Sequence, residues 1–116
     1  MQKYNCDEVC QSFIQYFYNS WINNPNDLLD TIISQRTKLK YNNIVYEYTH
    51  IIILLLQLKS EGLDITVSKY EVVDSKSRQL YILVKGMIKN ATFSQTFVLI
   101  HTSNKWNLIN SILIIE

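Results

Sequence analysis

Glycine and proline are nearly missing from this chain: Gly62 and Gly86 are its two glycines and Pro25 its one proline in 116 residues. An interdomain linker rich in those residues is thereby excluded, and the chain shows no repeat or low-complexity tract. The length suits one domain with one core and is too short for two, so residues 1–116 are read as a single compact domain. Charge of one sign is lacking too. Lys and Arg total 11 against 10 for Asp and Glu, the formal net charge is +1, and no run of one sign stands out. Nucleic-acid binders carry a basic patch that releases counterions from phosphates, so no direct DNA or RNA binding is expected. The apolar run Ile51–Leu56 is far shorter than the ~20 residues needed to span a bilayer, so no membrane segment is expected. Cysteine is scarce: Cys6 and Cys10 lie four apart in a predicted helix, with no second Cys or His pair at a metal-site spacing. No signal peptide precedes them, so reduced core thiols in the nucleus or cytoplasm are expected, and the sequon Asn90-Ala91-Thr92 is read as chance.

What is present is apolar. Hydrophobic residues make up 47% and charged residues 18%, enough burial to offset the entropy of ordering the backbone. From Asp7 to Trp21, Val9, Phe13, Phe17 and Trp21 recur every four residues with Cys10, Ile14 and Tyr18 beside them, which predicts an amphipathic helix with a broad apolar face. Asn24-Pro25-Asn26-Asp27 supplies a cap, a first-position proline and an acid at the positive end of the dipole, predicting a short second helix from Pro25 to about Ile33. Lys38–Tyr41 and Ile44–Tyr46 flank Asn42-Asn43, which tolerates the positive φ of a two-residue turn, so a small hairpin is predicted. Thr49 is placed to cap a third helix through about Lys59, with Gly62 ending it, although Ile51-Ile52-Ile53 also suits a strand.

After Gly62 the period changes to two. Asp64–Val73, Leu80–Lys89, Thr92–His101 and Lys105–Ile115 read as strands joined by Asp74–Arg78, Asn90-Ala91 and Thr102–Asn104, an antiparallel meander. Leu80, Ile82, Val84 and Ile88 share one face of their strand, and Lys85 and Lys89 the other. Helices first and a sheet afterwards make an α+β layer fold.

Few residues carry chemistry. His101 ends a strand without an obvious carboxylate partner and is read as structural, and the Phe13, Phe17, Trp21 stripe as core more than as the wall of a ligand cavity. No catalytic, metal or cofactor residue is assigned. The sheet residues carry more weight: Phe97, Leu99, Trp106, Leu108, Ile112 and Ile114 lie on alternating faces of neighbouring strands, and one of those faces is a candidate dimer or partner interface.

Ordered segments of the chain resemble the nuclear transport factor 2 family. Ser12-Phe13-Ile14-Gln15-Tyr16-Phe17-Tyr18 is similar to its opening helix, and Leu39-Lys40-Tyr41-Asn42-Asn43 to its hairpin. Val84-Lys85-Gly86-Met87-Ile88 and Phe93-Ser94-Gln95-Thr96-Phe97-Val98-Leu99 resemble its paired strands, and Trp106–Ile115 its last strand. The resemblance implies a cone in which the helices pack inside a strongly curved antiparallel sheet, a cavity at the wide end and a dimer through the outer sheet face. It also implies a non-enzymatic transport factor in the nucleus, the cytoplasm and the pores of the nuclear envelope, with nucleoporin Phe-Gly repeats among its partners.

Within that family the import carrier surrounds its cavity mouth with acids that receive Ran-GDP. The matching positions here read Asn42 and Lys89-Asn90-Ala91-Thr92, so the expected rim is Tyr41, Asn42, Lys89 and Asn90, with the acidic contacts gone. The carrier's N-terminal Trp, part of its Phe-Gly site, aligns near Cys6. Asn42 after the aromatic Tyr41 resembles the export adaptors, which pair with the homologous domain of a larger messenger-RNA export receptor, whereas their last-strand Arg falls near Ile114. The expected role is such an adaptor, paired with the receptor's domain or with a second copy of itself. The alternatives are a Ran-GDP carrier with its acids moved to Glu47 or Glu116, and a small-molecule enzyme using the cavity.

Overall fold

Helix α1, Cys6–Asn23, starts where the Asn5 side chain accepts from the amides of Asp7 and Glu8 at 3.1 and 3.2 Å, with both acids in the positive first turn. The computed structural model describes residues 5–62, 64–76 and 78–116; Ser77, in the predicted connection Asp74–Arg78, lies outside them. The helix stops at Asn24, whose side chain accepts from the Asn26 amide at 3.3 Å and opens a 3-10 turn over Pro25–Leu28. The helix predicted to run on to Ile33 does not form. Asp30 takes φ 62°, and the Thr31 hydroxyl bonds back to the carbonyls of Asp27 and Leu28 at 2.7 and 3.1 Å. The Ile32 carbonyl accepts from the Leu108 amide at 3.0 Å, a tertiary tie that fixes the segment after the break.

The hairpin forms as read: β1, Lys38–Tyr41, and β2, Ile44–Glu47, flank Asn42 and Asn43 at φ 52° and 64°. Helix α2, Thr49–Ser60, settles the ambiguous isoleucine run as helix. Its cap position is Tyr48, at φ 44°, and not Thr49; no side chain caps it. The Tyr48 hydroxyl donates to Asp30 at 3.0 Å, so a contact with the preceding loop sets where the helix begins. Gly62 follows it at φ 88°, a conformation that costs glycine least.

Strands β3 (Ile65–Lys76), β4 (Gln79–Ile88), β5 (Ala91–Thr102) and β6 (Lys105–Ile115) make the expected meander. The sheet has six strands in the order β2-β1-β6-β5-β4-β3, with β1 added parallel to β6. Extra residues bend it: Ser68 and Val73 are unpaired where the β3–β4 register shifts, and Ile109 where β5–β6 shifts. The helices fill the concave side. One core cluster joins Phe13, Phe17 and Trp21 of α1 to Ile51 and Leu55 of α2 and to Ile82, Phe97 and Leu108 of the sheet. Among the described residues no helix is long and apolar enough to cross a membrane.

Gly86 sits on the concave face between Val67 and Phe93 in register. A Cβ there would run into the Thr66 carbonyl oxygen and stand 2.8 Å from Phe93 Cε1. Gly86→Ala is therefore expected to lower stability by about 1–3 kcal/mol, read as a shifted urea midpoint. An unchanged midpoint would show that β3 gives way freely at its bulge.

Candidate functional site

The interior of the cone is packed. Phe13 and Phe17 each meet Phe97 edge to face at a centroid distance of 5.0 Å, and Trp21 Nε1 donates to the Leu55 carbonyl at 3.0 Å. The polar groups inside serve one another. The Tyr18 hydroxyl donates to Gln95 Oε1 at 2.7 Å and Gln95 Nε2 donates to Ser111 Oγ at 3.0 Å; no buried side-chain polar atom is unpaired among the described residues. No carboxylate or imidazole takes part in this chain of bonds, and burial holds the Tyr18 hydroxyl well above its ordinary value. No cluster of three or more His, Cys, Asp or Glu among the described residues could hold a metal ion.

At the wide end a cavity of about 460 Å³ is lined by Tyr41, Leu58, Glu61, Ile88, Lys89, Asn90, Ala91 and Ile115. Three of the four expected rim residues, Tyr41, Lys89 and Asn90, come together there. Asn42 does not; it lines a separate recess with Lys40 and Ile112–Ile115. The Lys89 ammonium donates to the Glu61 carbonyl across the mouth. Glu47 pairs with Lys38 at 3.8 Å, Glu116 lies in a recess with Lys85, and neither lines this cavity.

The six candidate interface residues do not share a face. Phe97, Leu99 and Leu108 are buried in the core, because the concave side of the sheet is where the helices pack. Trp106 is half-buried opposite His101, their rings edge to face at 5.1 Å. Only Ile112 and Ile114 point outward, 41% and 48% exposed. Around them the convex face also presents Val45 and Met87, with Leu83, Val98 and Ile100 half-buried.

Trp106 instead helps to form a feature that the strand pattern did not reveal. An apolar groove of about 420 Å³ runs along α1, lined by Glu8, Val9, Ser12, Phe13, Tyr16, Ile32 and Trp106. Its signal in the sequence is the width of the apolar face of α1, broader than one stripe of core contacts requires. The floor is held by the Tyr16 hydroxyl, 2.8 Å from the Asp27 carbonyl and 3.0 Å from Thr31 Oγ1.

No family model matches the chain, and no curated protein matches its sequence. Solved structures do match. The yeast UBP3-associated protein BRE5 superposes with a TM-score of 0.84 at 16% identity over 98% of both chains. Nuclear transport factor 2 from Cryptosporidium parvum gives 0.80 at 17% identity over 95% of this chain and 94% of its own. The chain has the nuclear transport factor 2-like fold. A candidate ketosteroid isomerase from Shewanella frigidimarina shares the same fold, with a TM-score of 0.78 at 11% identity over 95% of this chain and 98% of its own. The nuclear transport factor 2-like fold therefore carries proteins of different activities, and the site must distinguish them.

Burial gives this nuclear transport factor 2-like core a pH signature. Desolvation, with the Asp7 charge adding to it, pushes the Cys10 thiol from 9.0 up to about 11. Tyr18 moves in the same direction from 10.0, as does Tyr48 through its bond to Asp30. These groups hold their protons more tightly folded than unfolded, so their stabilisation is complete below pH 9.0 and is lost as the pH rises. Urea midpoints should fall from about pH 9 upward, the early part vanishing in Cys10→Ala and part of the later fall in Tyr18→Phe. Tyr18→Phe should also cost about 1–3 kcal/mol at neutral pH by stranding Gln95. A midpoint that stays level to pH 11 would contradict the assignment.

Proposed function

We propose that the protein is a non-enzymatic adaptor of nucleocytoplasmic transport. It joins another nuclear transport factor 2-like domain through its outer sheet face and receives Phe-Gly segments of nucleoporins in the groove along α1. The observation that carries this reading is where apolar surface remains after the cone is filled: on the convex face at Val45, Ile112 and Ile114 and in the groove at Val9 and Trp106. Surfaces of this kind recognise other proteins, by sheet packing in the first case and by seating an aromatic side chain in the second.

Catalysis would need an acid or base aimed into the cavity. The interior polar chain of Tyr18, Gln95 and Ser111 offers neither near neutral pH, and the ionic side chains at the mouth are Lys89 and Glu61. Carriage of Ran-GDP would need several acids at that mouth, where the single acid Glu61 stands with the cation Lys89 and the Asn90 amide. The domain joined is the homologous domain of a larger export receptor or a second copy of this chain, and the places of work are the nucleus, the cytoplasm and the pores between them.

A synthetic Phe-Gly repeat peptide titrated into isotope-labelled protein should shift the amides around Val9, Tyr16, Ile32 and Trp106. Val9→Glu and Trp106→Ala should each weaken that binding about tenfold or more while the fold persists. Parallel titrations with Ran-GDP and with the receptor's homologous domain sort the branches. Saturable binding of Ran-GDP without binding of Phe-Gly peptide would overturn the adaptor reading.

A further inference from the structure

We infer that the groove along α1 selects among Phe-Gly segments by their flanking charge, taking those with a Lys or Arg on each side of the Phe and disfavouring those flanked by acids. This rests on the preceding reading that the groove receives such segments, and it adds what tells one segment from another.

The groove is apolar in the middle and acidic at both ends. Val9, Phe13, Ile32 and Trp106 offer an incoming Phe ring its contacts. Glu8 lines the end nearest the start of α1, with Asp7 beside it in the same first turn. Two carboxylates there outweigh the roughly half positive charge of the helix N-terminus, so this end is negative. At the other end the Tyr16 hydroxyl lies 2.8 Å from the Asp27 carbonyl and 3.0 Å from Thr31 Oγ1. That contact brings up the 27–31 segment with its exposed acids Asp27 and Asp30. Lys105 approaches the same segment, its ammonium donating to the carbonyls of Asp30 and Thr31 at 3.5 and 3.3 Å. No ion pair joins any of the four acids among the described residues. Asp27 accepts from the Asn24 side-chain amide at 3.3 Å and Asp30 from the Tyr48 hydroxyl at 3.0 Å, both neutral donors.

The spacing fits one short extended segment. Glu8 and Tyr16 are eight positions apart on α1, about 12 Å along its axis, and an extended chain advances about 3.3 Å per residue. With the Phe ring between Val9 and Trp106, side chains two or three positions before and after it reach the two acidic ends. Lys or Arg at those positions gains at both ends, whereas Asp or Glu is repelled at both. Because both ends are acidic, the preference holds for either direction of the bound chain.

Three labelled peptides with one Phe-Gly core and Lys, Ser or Glu on both sides test this. At low salt the Lys-flanked peptide should bind about tenfold more tightly than the Glu-flanked one, with the Ser-flanked peptide between them. That ratio should shrink toward one at ~0.5 M salt, because exposed charges are screened. Glu8→Gln should cut the ratio about twofold and Glu8→Lys about threefold or more, with Asp27→Asn lowering it further. The ratio is taken within each variant, so a general weakening of the groove does not imitate the effect. Equal affinities for the three peptides, tightest binding of the Glu-flanked one, or a ratio that both Glu8 variants leave unchanged would each overturn this inference alone. Failure of all three peptides to bind the unaltered chain would overturn the preceding reading of the groove as well.

Discussion

Everything in this molecule leans on the seating of the α1 aromatics against Phe97. Phe13 and Phe17 direct their ring faces and edges onto one side chain in the middle of β5, at 5.0 Å each, and Trp21 is locked to α2 by its bond to the Leu55 carbonyl. Burying such rings is worth roughly 1.5–3 kcal/mol apiece, and a flat sheet would cover only one side of the helix. The bulges at Ser68, Val73 and Ile109 bend the strands around it. Gly86 lets β3 come close at the same height.

The bend then decides what is left for other molecules. Once the helices occupy the concave side, Tyr18 bonds to Gln95 and Gln95 to Ser111, so that among the described residues these buried polar side chains are paired with one another. Among the described residues no helix covers the outer side of the same strands. Ile112 and Ile114 alternate with Ser111 and Leu113 on β6, so burying the one pair inside the cone exposes the other by the pleat alone. The cone and the exposed apolar face are two consequences of one alternation.

Much of this was legible in the residues. The alternation of Leu80, Ile82, Val84 and Ile88 identified β4 and its inner face, the paired asparagines identified the hairpin turn, and the ordered resemblance identified the cone. The failures are tertiary in origin. Pro25–Ile33 has the capping signals of a helix, but Asp30 takes a positive φ, Thr31 bonds back to Asp27 and Leu28, and the Leu108 amide ties down Ile32 beyond the break. Thr49 has the chemistry of a cap, but Tyr48 is held by Asp30. Alternation also cannot say which of two apolar faces the helices will choose. Phe97, Leu99 and Leu108 were thus as eligible for an interface as Ile112 and Ile114 until the position of α1 separated them. The α1 groove escaped because it joins residues far apart in the chain, Val9, Ile32 and Trp106.

The charge pattern of the outer face depends on the register of one short strand. β1 is only four residues long, and a slip by one would send Lys38 and Lys40 into the core and Leu39 out to solvent. Thr37 prevents it. Its hydroxyl donates to the Leu108 carbonyl at 2.6 Å and accepts from the Ser34 amide at 2.9 Å, both in a buried or half-buried setting. Leu39 follows it into the core opposite Ser111. The two lysines must then emerge beside Asn110 and Ile112, at the far side of the sheet from Glu71 and Asp74. A buried hydroxyl with no chemistry of its own thereby sets the polarity of the face. The charge on this face is therefore placed by backbone register.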